Sequence, residues 1–170
     1  DRPRLTFDWA LPVTLTFADD INTKLYWTRL ERREISDLTR HKPDPAATAP
    51  NRFRHSDFLF DQSILGTEIR LSAKRNFWGW NHHFTYGFNG DITTSSRPRD
   101  RYEVNLATGA ATNTVAGETF PNKNFPDTTT QNAGLYLQDI MQQGAWRVIP
   151  AVRFDYYLSL IHISEPTRRR

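Results

Sequence analysis

The chain has 170 residues, 24% of them charged, with a formal net charge of +3 and no cysteine, which excludes disulfides and thiolate metal sites. Mean hydropathy is −0.66, and no apolar run approaches the roughly 18 residues of a membrane-spanning helix; strands that alternate apolar and polar residues escape that test. Arg168, Arg169 and Arg170 against Glu165 put +2 in the last residues and leave +1 elsewhere, so the pI of 9.4 does not signal a nucleic-acid partner.

Leu5, Phe7, Trp9 and Leu11 alternate with Thr6, Asp8 and Ala10. That pattern predicts a first strand stopped by Pro12. Residues 12–22 read as a connection with a short helical turn around Asp19 and Asp20. A second strand is expected over 23–39, apolar at Leu25, Tyr26 and Trp27 and densely charged from Arg29 to Asp37. Pro43, Pro45 and Pro50 make 40–51 a loop. A third strand over 58–74 sets Leu65, Thr67, Ile69, Leu71 and Ala73 on one face, with Gly66, Glu68, Arg70 and Ser72 on the other. Even tilted by about 45°, it outruns an apolar band about 25 Å tall.

Residues 75–80 read as a tight turn at Gly79. In a fourth strand over 81–94, Phe84, Tyr86, Phe88 and Ile92 oppose His83, Thr85, Gly87, Asn89 and Asp91. Residues 95–132, with Pro98, Pro121 and Pro126, read as a long polar loop. Inside it a small hairpin pairs 102–106 with 113–115 across Thr108 and Gly109. The last two strands form a hairpin about residues 142–145. Val148, Pro150, Val152, Phe154 and Tyr156 share its apolar face, and Arg147, Ile149, Ala151, Arg153 and Asp155 the other.

This hairpin carries a resemblance. G-L-Y-L-Q-D at 134–139 and P-A-V-R-F-D-Y at 150–156 resemble the barrel of TonB-dependent outer-membrane receptors, where G-x-Y-x-Q-D and G-x-R-Y-D recur on consecutive strands. Ala151 stands in place of the usual glycine and Phe154 of the usual tyrosine. G-E-T-F-P-N-K-N-F-P-D-T-T-T at 117–130 resembles the haem/haemoglobin and transferrin/lactoferrin branch. The likeness covers 1–157. It implies a receptor in the outer membrane of a Gram-negative bacterium that takes up an iron carrier, haem or a haem-carrying protein. The TonB complex would act through a plug region outside this chain, and about 22 strands would surround the plugged lumen. Residues 158–168, L-S-L-I-H-I-S-E-P-T-R, resemble translated adapter sequence from transposon-based DNA libraries, and 158–170 are set apart as a non-native tail. With Asp1 at its start and no apolar leader, the chain reads as an internal fragment.

The expected fold is all-β: an antiparallel up-and-down meander of about six strands, a partial wall of a large transmembrane β-barrel in contact with the lipid bilayer. Short connections would face the periplasm and long loops the exterior. All five tryptophans, Trp9, Trp27, Trp78, Trp80 and Trp146, read as lying near the short connections, as an aromatic girdle would. The alternatives are a passive porin-like barrel and a soluble β-sandwich binding module. The sandwich would bury Leu65, Ile69, Leu71, Phe84, Tyr86 and Phe88 against a second sheet.

His82 and His83 point to opposite faces of a strand and cannot chelate one ion together, so no metal site is expected there. His41 and His55, in or beside the first long loop, are candidate haem-iron ligands through a neutral imidazole. In the branch resembled, haem-ligating histidines belong to the plug and a later loop, and no residue here matches them. Phe120 and Phe125 could form an aromatic platform for haem or a protein ligand, or pin the long loop to the barrel rim. Arg29, Arg32, Arg33, Arg70, Arg147 and Arg153 are candidates to line the lumen. No nucleophile triad, carboxylate pair or phosphate loop is visible, so neither an enzymatic activity nor a resident cofactor is expected.

Overall fold

Alternation at a period of two forces one side of each strand to be greasy and the other ionic, and antiparallel pairing copies that division from strand to strand. The computed structural model describes residues 2–41, 50–123 and 125–162. Its elements are β1 (Arg4–Pro12), β2 (Asp20–Arg40), β3 (Arg52–Phe77), β4 (Trp80–Ser96), β5 (Pro98–Asn105), β6 (Ala111–Thr112), β7 (Thr114–Val115), β8 (Glu118–Thr119), β9 (Asn122–Lys123), β10 (Asp127–Gln143), β11 (Trp146–Val148) and β12 (Ala151–His162). The described residues contain no helix. The main sheet runs β1-β2-β3-β4-β10, with β11 and β12 both on the far side of β10, every pair antiparallel. This is the expected all-β meander.

Register sorts the side chains. Leu71, Tyr86, Leu137 and Val152 form one cross-strand row, and Ile69, Phe88, Leu135 and Phe154 the next. Trp27, Leu5, Leu65 and Ile92 form a third. The opposite face carries Lys24, Glu68 and Asn89 in one row, with Arg153 and Asp155 nearby. Its ions are paired with one another: Lys24 across the ladder with Asp8 at 3.3 Å, and Arg153 along β12 with Asp155 at 2.6 Å.

Among the described residues no second layer covers the greasy face. Leu65 is 59% exposed, Val152 65% and Phe154 66%, and the only buried apolar side chains among the described residues are Ala18, Ala73, Val115 and Phe120. Apolar rows of this extent, uncovered by protein, require another apolar medium. The sandwich alternative therefore falls: among the described residues its second sheet does not form, and the one separate sheet there, β7-β8, is a two-stranded piece of loop.

Several boundaries differ from the sequence reading. The helical turn at Asp19 and Asp20 does not form. Asp20 opens β2, and Asp19 ends a connection folded against β3. There the Asp19 carboxylate accepts from the Lys74 backbone N–H at 2.6 Å and from Arg75 at 2.7 Å, while Arg75 also donates to the Leu15 and Thr16 carbonyls. These bonds satisfy the connection's polar groups without a helix. β3 is far longer than 58–74. At about 3.3 Å per residue its 26 residues extend about 86 Å.

β4 does not end in a loop. Past Arg97 the chain resumes as β5, which pairs with β3 in the same register, Phe58 opposite Arg99 and Arg52 opposite Asn105. The small hairpin within 95–132 exists with another partner set. Glu103 and Val104 pair with Thr112 and Ala111, whereas Thr114 and Val115 pair with Thr119 and Glu118. Ala116 and Gly117, both at positive φ, make the second turn so tight that 113–115 is drawn away from 102–106.

The tight turn between β3 and β4 is Trp78-Gly79, both at positive φ. Trp78, Trp80 and Trp146 gather at this end of the sheet. Trp27 does not, because β2 starts at Asp20 and its register carries Trp27 to the far apolar row, where its Nε1–H donates to Ser63 at 3.0 Å. Trp9 stands between, in the row of Ile69. β12 continues through 158–162 on β10. The rest of the tail set apart on sequence, 163–170, and most of the first long loop, 42–49, lie outside the described residues.

Candidate ligand-facing surface beyond the apolar rows

Beyond Leu65 the strands β2, β3 and β4-β5 continue as a three-stranded ribbon, and its two faces differ in chemistry. On the face continuous with the greasy rows, cross-strand pairs neutralise one another. Arg29 meets Asp61 at 2.7 Å, Arg33 donates to Asp57 at 2.9 Å, and His55 Nδ1 lies 2.6 Å from Asp37. The Arg33 hydrogen bond holds the Asp57 carboxyl below its ordinary value, outweighing the effect of burial.

The face continuous with the ionic rows is richer in cations and aromatics. Arg97 lies between two phenyl rings, 4.9 Å from the Phe60 centroid and 5.3 Å from Phe125. Arg99 and Arg101 both lie between Phe58 and Phe120, at 4.9 to 5.5 Å. These distances are those of cation–π contact. The strand period explains the pattern: Arg97, Arg99 and Arg101 alternate with Pro98 and Asp100, so all three guanidiniums share a face. Burial, followed by the charges of Arg54 and Arg99, lowers the Arg101 pKa from its ordinary value.

The loop supplies the rest. Phe120 is 1% exposed, clamped by its backbone N–H to the Asn113 carbonyl at 2.9 Å and by Asn113 Nδ2 to its own carbonyl at 2.6 Å. Phe125 is 58% exposed. Of the two roles weighed for these residues, Phe120 has the geometry of the pin and Phe125 that of an open ring.

The other candidates fall elsewhere. His55 is on the opposite face, stacked on Tyr102 at 5.0 Å. His41 is exposed just after β2. Arg32, Arg70, Arg147 and Arg153 lie on the ionic face as expected, but Arg29 and Arg33 do not, since odd positions of β2 share the greasy side. His83 is on the ionic face, opposite Lys74. His82 is on the greasy face, buried, stacked 3.8 Å from Phe77 and with Nδ1 2.6 Å from Asp139. The two histidines therefore point apart, as the strand geometry required.

Sequence reasoning missed Arg97, Arg99, Arg101, Phe58 and Phe60. The signal was present as R-x-R-x-R at 97–101 opposite F-x-F at 58–60, but Pro98 and the preceding serines made the segment read as loop.

A one-layer antiparallel meander, greasy outside and ionic within, with tight turns at one end and long connections at the other, is the wall of an outer-membrane β-barrel. Residues 1–160 match the family described as TonB dependent receptor-like, beta-barrel, and the chain belongs to this family. Membership implies a Gram-negative outer membrane as location and a receptor and transporter working with TonB as the role. A search of curated proteins found no match.

Proposed function

We propose that this wall belongs to an active receptor for an iron carrier, haem or a haem-carrying protein. The observation that carries the reading is the 117–130 loop with its two F-P steps. Its sequence resembles the haem/haemoglobin branch, and its Phe120 and Phe125 meet the arginine row on the lumen side. Ligand is captured at the exterior end, where aromatic faces and cations are concentrated. The TonB complex then drives uptake through the plug. Residues 158–168 are read as adapter-derived, although 158–162 extend β12 along β10.

The test uses the full-length gene in a haem-requiring Gram-negative host that lacks its own haem receptors. Growth on haem or haemoglobin that disappears when TonB is deleted is the expected result. Growth that persists without TonB would favour a passive porin-like barrel, and TonB-dependent uptake of another iron carrier only would replace haem as the cargo.

A further inference from the structure

Stacking occupies the faces of a guanidinium and leaves its edge open. All five N–H donors lie in the guanidinium plane, and the phenyl rings against Arg97, Arg99 and Arg101 offer them no oxygen or nitrogen acceptor. The chain supplies few acceptors. Glu103 is divided between Arg54 at 3.0 Å and Arg52 at 3.7 Å. Glu118 reaches Arg99 only at 3.7 Å, and Arg99 Nη1 is buried with no hydrogen-bond partner. Arg101 donates to the Ser56 hydroxyl at 3.0 Å. Arg97 meets no carboxylate among the described residues. Arg99 Nη1 is thus a buried charged donor without an acceptor, which is costly and which a ligand acceptor would relieve, while the Arg97 side chain is exposed and its donors are open to an incoming group. Beside them lies a groove of about 440 Å³ lined by Phe58, Phe60, Arg97, Arg99 and Phe125, with Arg32 and Glu34 at its side. Glu34 is engaged by Arg32 at 3.8 Å.

Alternate residues of one strand stand about 6.6 Å apart. We propose that this face binds a flat aromatic ligand bearing two carboxylates on one edge, one taken by the N–H groups of Arg97 and the other by those of Arg99, the two arginines that line the groove. Phe60 and Phe125 hold Arg97 at the wall of the groove. Charge-assisted pairing of this kind is directional and strong, and aromatic stacking holds the guanidinium before the ligand arrives. The inference rests on the haem reading and narrows it, making the acid groups rather than the metal the feature recognised here.

The experiment measures binding to the full-length receptor in detergent micelles with three probes: protoporphyrin IX, its dimethyl ester, and carboxyfluorescein, an aromatic dianion that is not a porphyrin. The diacid is expected to bind roughly tenfold or more tightly than the diester. Arg97→Gln with Arg99→Gln should abolish that preference while the barrel keeps its heat-modifiable electrophoretic mobility. If the double variant does not assemble, Arg97→Gln alone, at an exposed side chain, is compared with the native receptor, and an unchanged ratio of diacid to diester binding overturns the inference. Equal binding of diacid and diester overturns the inference and leaves the haem reading standing. Arginine-dependent binding of carboxyfluorescein without either porphyrin removes haem and keeps the anionic site. Absence of arginine-dependent binding by both dianions overturns it.

Discussion

Gly66 and Gly87 each face a tyrosine ring directly across the ladder, Tyr26 and Tyr136 respectively. A Cβ at Gly66 would run into the Tyr26 ring, and one at Gly87 into both the Ile69 carbonyl and the Tyr136 ring. A ring tip can swing, whereas a ladder carbonyl cannot. Gly87→Val should therefore lower stability by about 1–3 kcal/mol, and Gly66→Ala by less, read as urea midpoints of the barrel in lipid vesicles. The His82–Asp139 pair gives a second test. Asp139→Ala leaves a buried imidazole unpaired and should cost about 1–3 kcal/mol. Combining His82→Phe with Asp139→Leu, which keeps the stack on Phe77 and removes both polar groups, should recover most of that loss in the same assay. The facing of single residues was legible in the sequence wherever the period of two held, as for Phe84 against His83. It was misjudged for Arg29 and Arg33 because they were grouped by charge rather than by parity with Arg32. The His82–Asp139 contact joins two strands far apart in sequence, and nothing local announced it.

At the scale of elements, the greasy rows and the ionic rows make opposite demands. Ile69→Arg should impair assembly by roughly 2–4 kcal/mol if it sits near mid-bilayer, whereas Thr85→Arg on the lumen face should have little effect. The measurement is the fraction of heat-modifiable monomer in outer-membrane extracts, and equal behaviour of the two variants would contradict the assigned faces. The β1-β2 connection carries a pH prediction. The Asp19 carboxyl is held below its ordinary value, first by the Lys74 backbone N–H and then by Arg75. Its clip is therefore fully present above the unfolded carboxylate pKa of about 3.9 and is lost only as pH falls through the lower folded value. Protease sensitivity within 13–19 should stay low to below pH 4 or so in the native protein and be high throughout in Asp19→Asn. Strand existence was legible from alternation; strand length was not. β3 and β5 run on through charged residues because cross-strand partners such as Arg54 and Glu103 stabilise them, and a single strand's composition does not display its partner.

Among the described residues the sheet has two raw sides: β1 pairs only with β2, and β12 only with β10. Open ladder edges do not persist in hydrocarbon. Residues 1–162 expressed alone should give aggregates and no heat-modifiable monomer, whereas the same residues within the complete barrel should show that monomer. The family was legible because its hairpin motifs are tied to ladder geometry, while the arginine row was hidden by its proline. That row also stands on backbone already locked into β3's ladder rather than on a floppy tether. A host surface so stiff loses little freedom when cargo docks. Arrival should then be governed by diffusion and by attraction between unlike charges, slowing markedly as ionic strength rises, instead of by the closing of a lid.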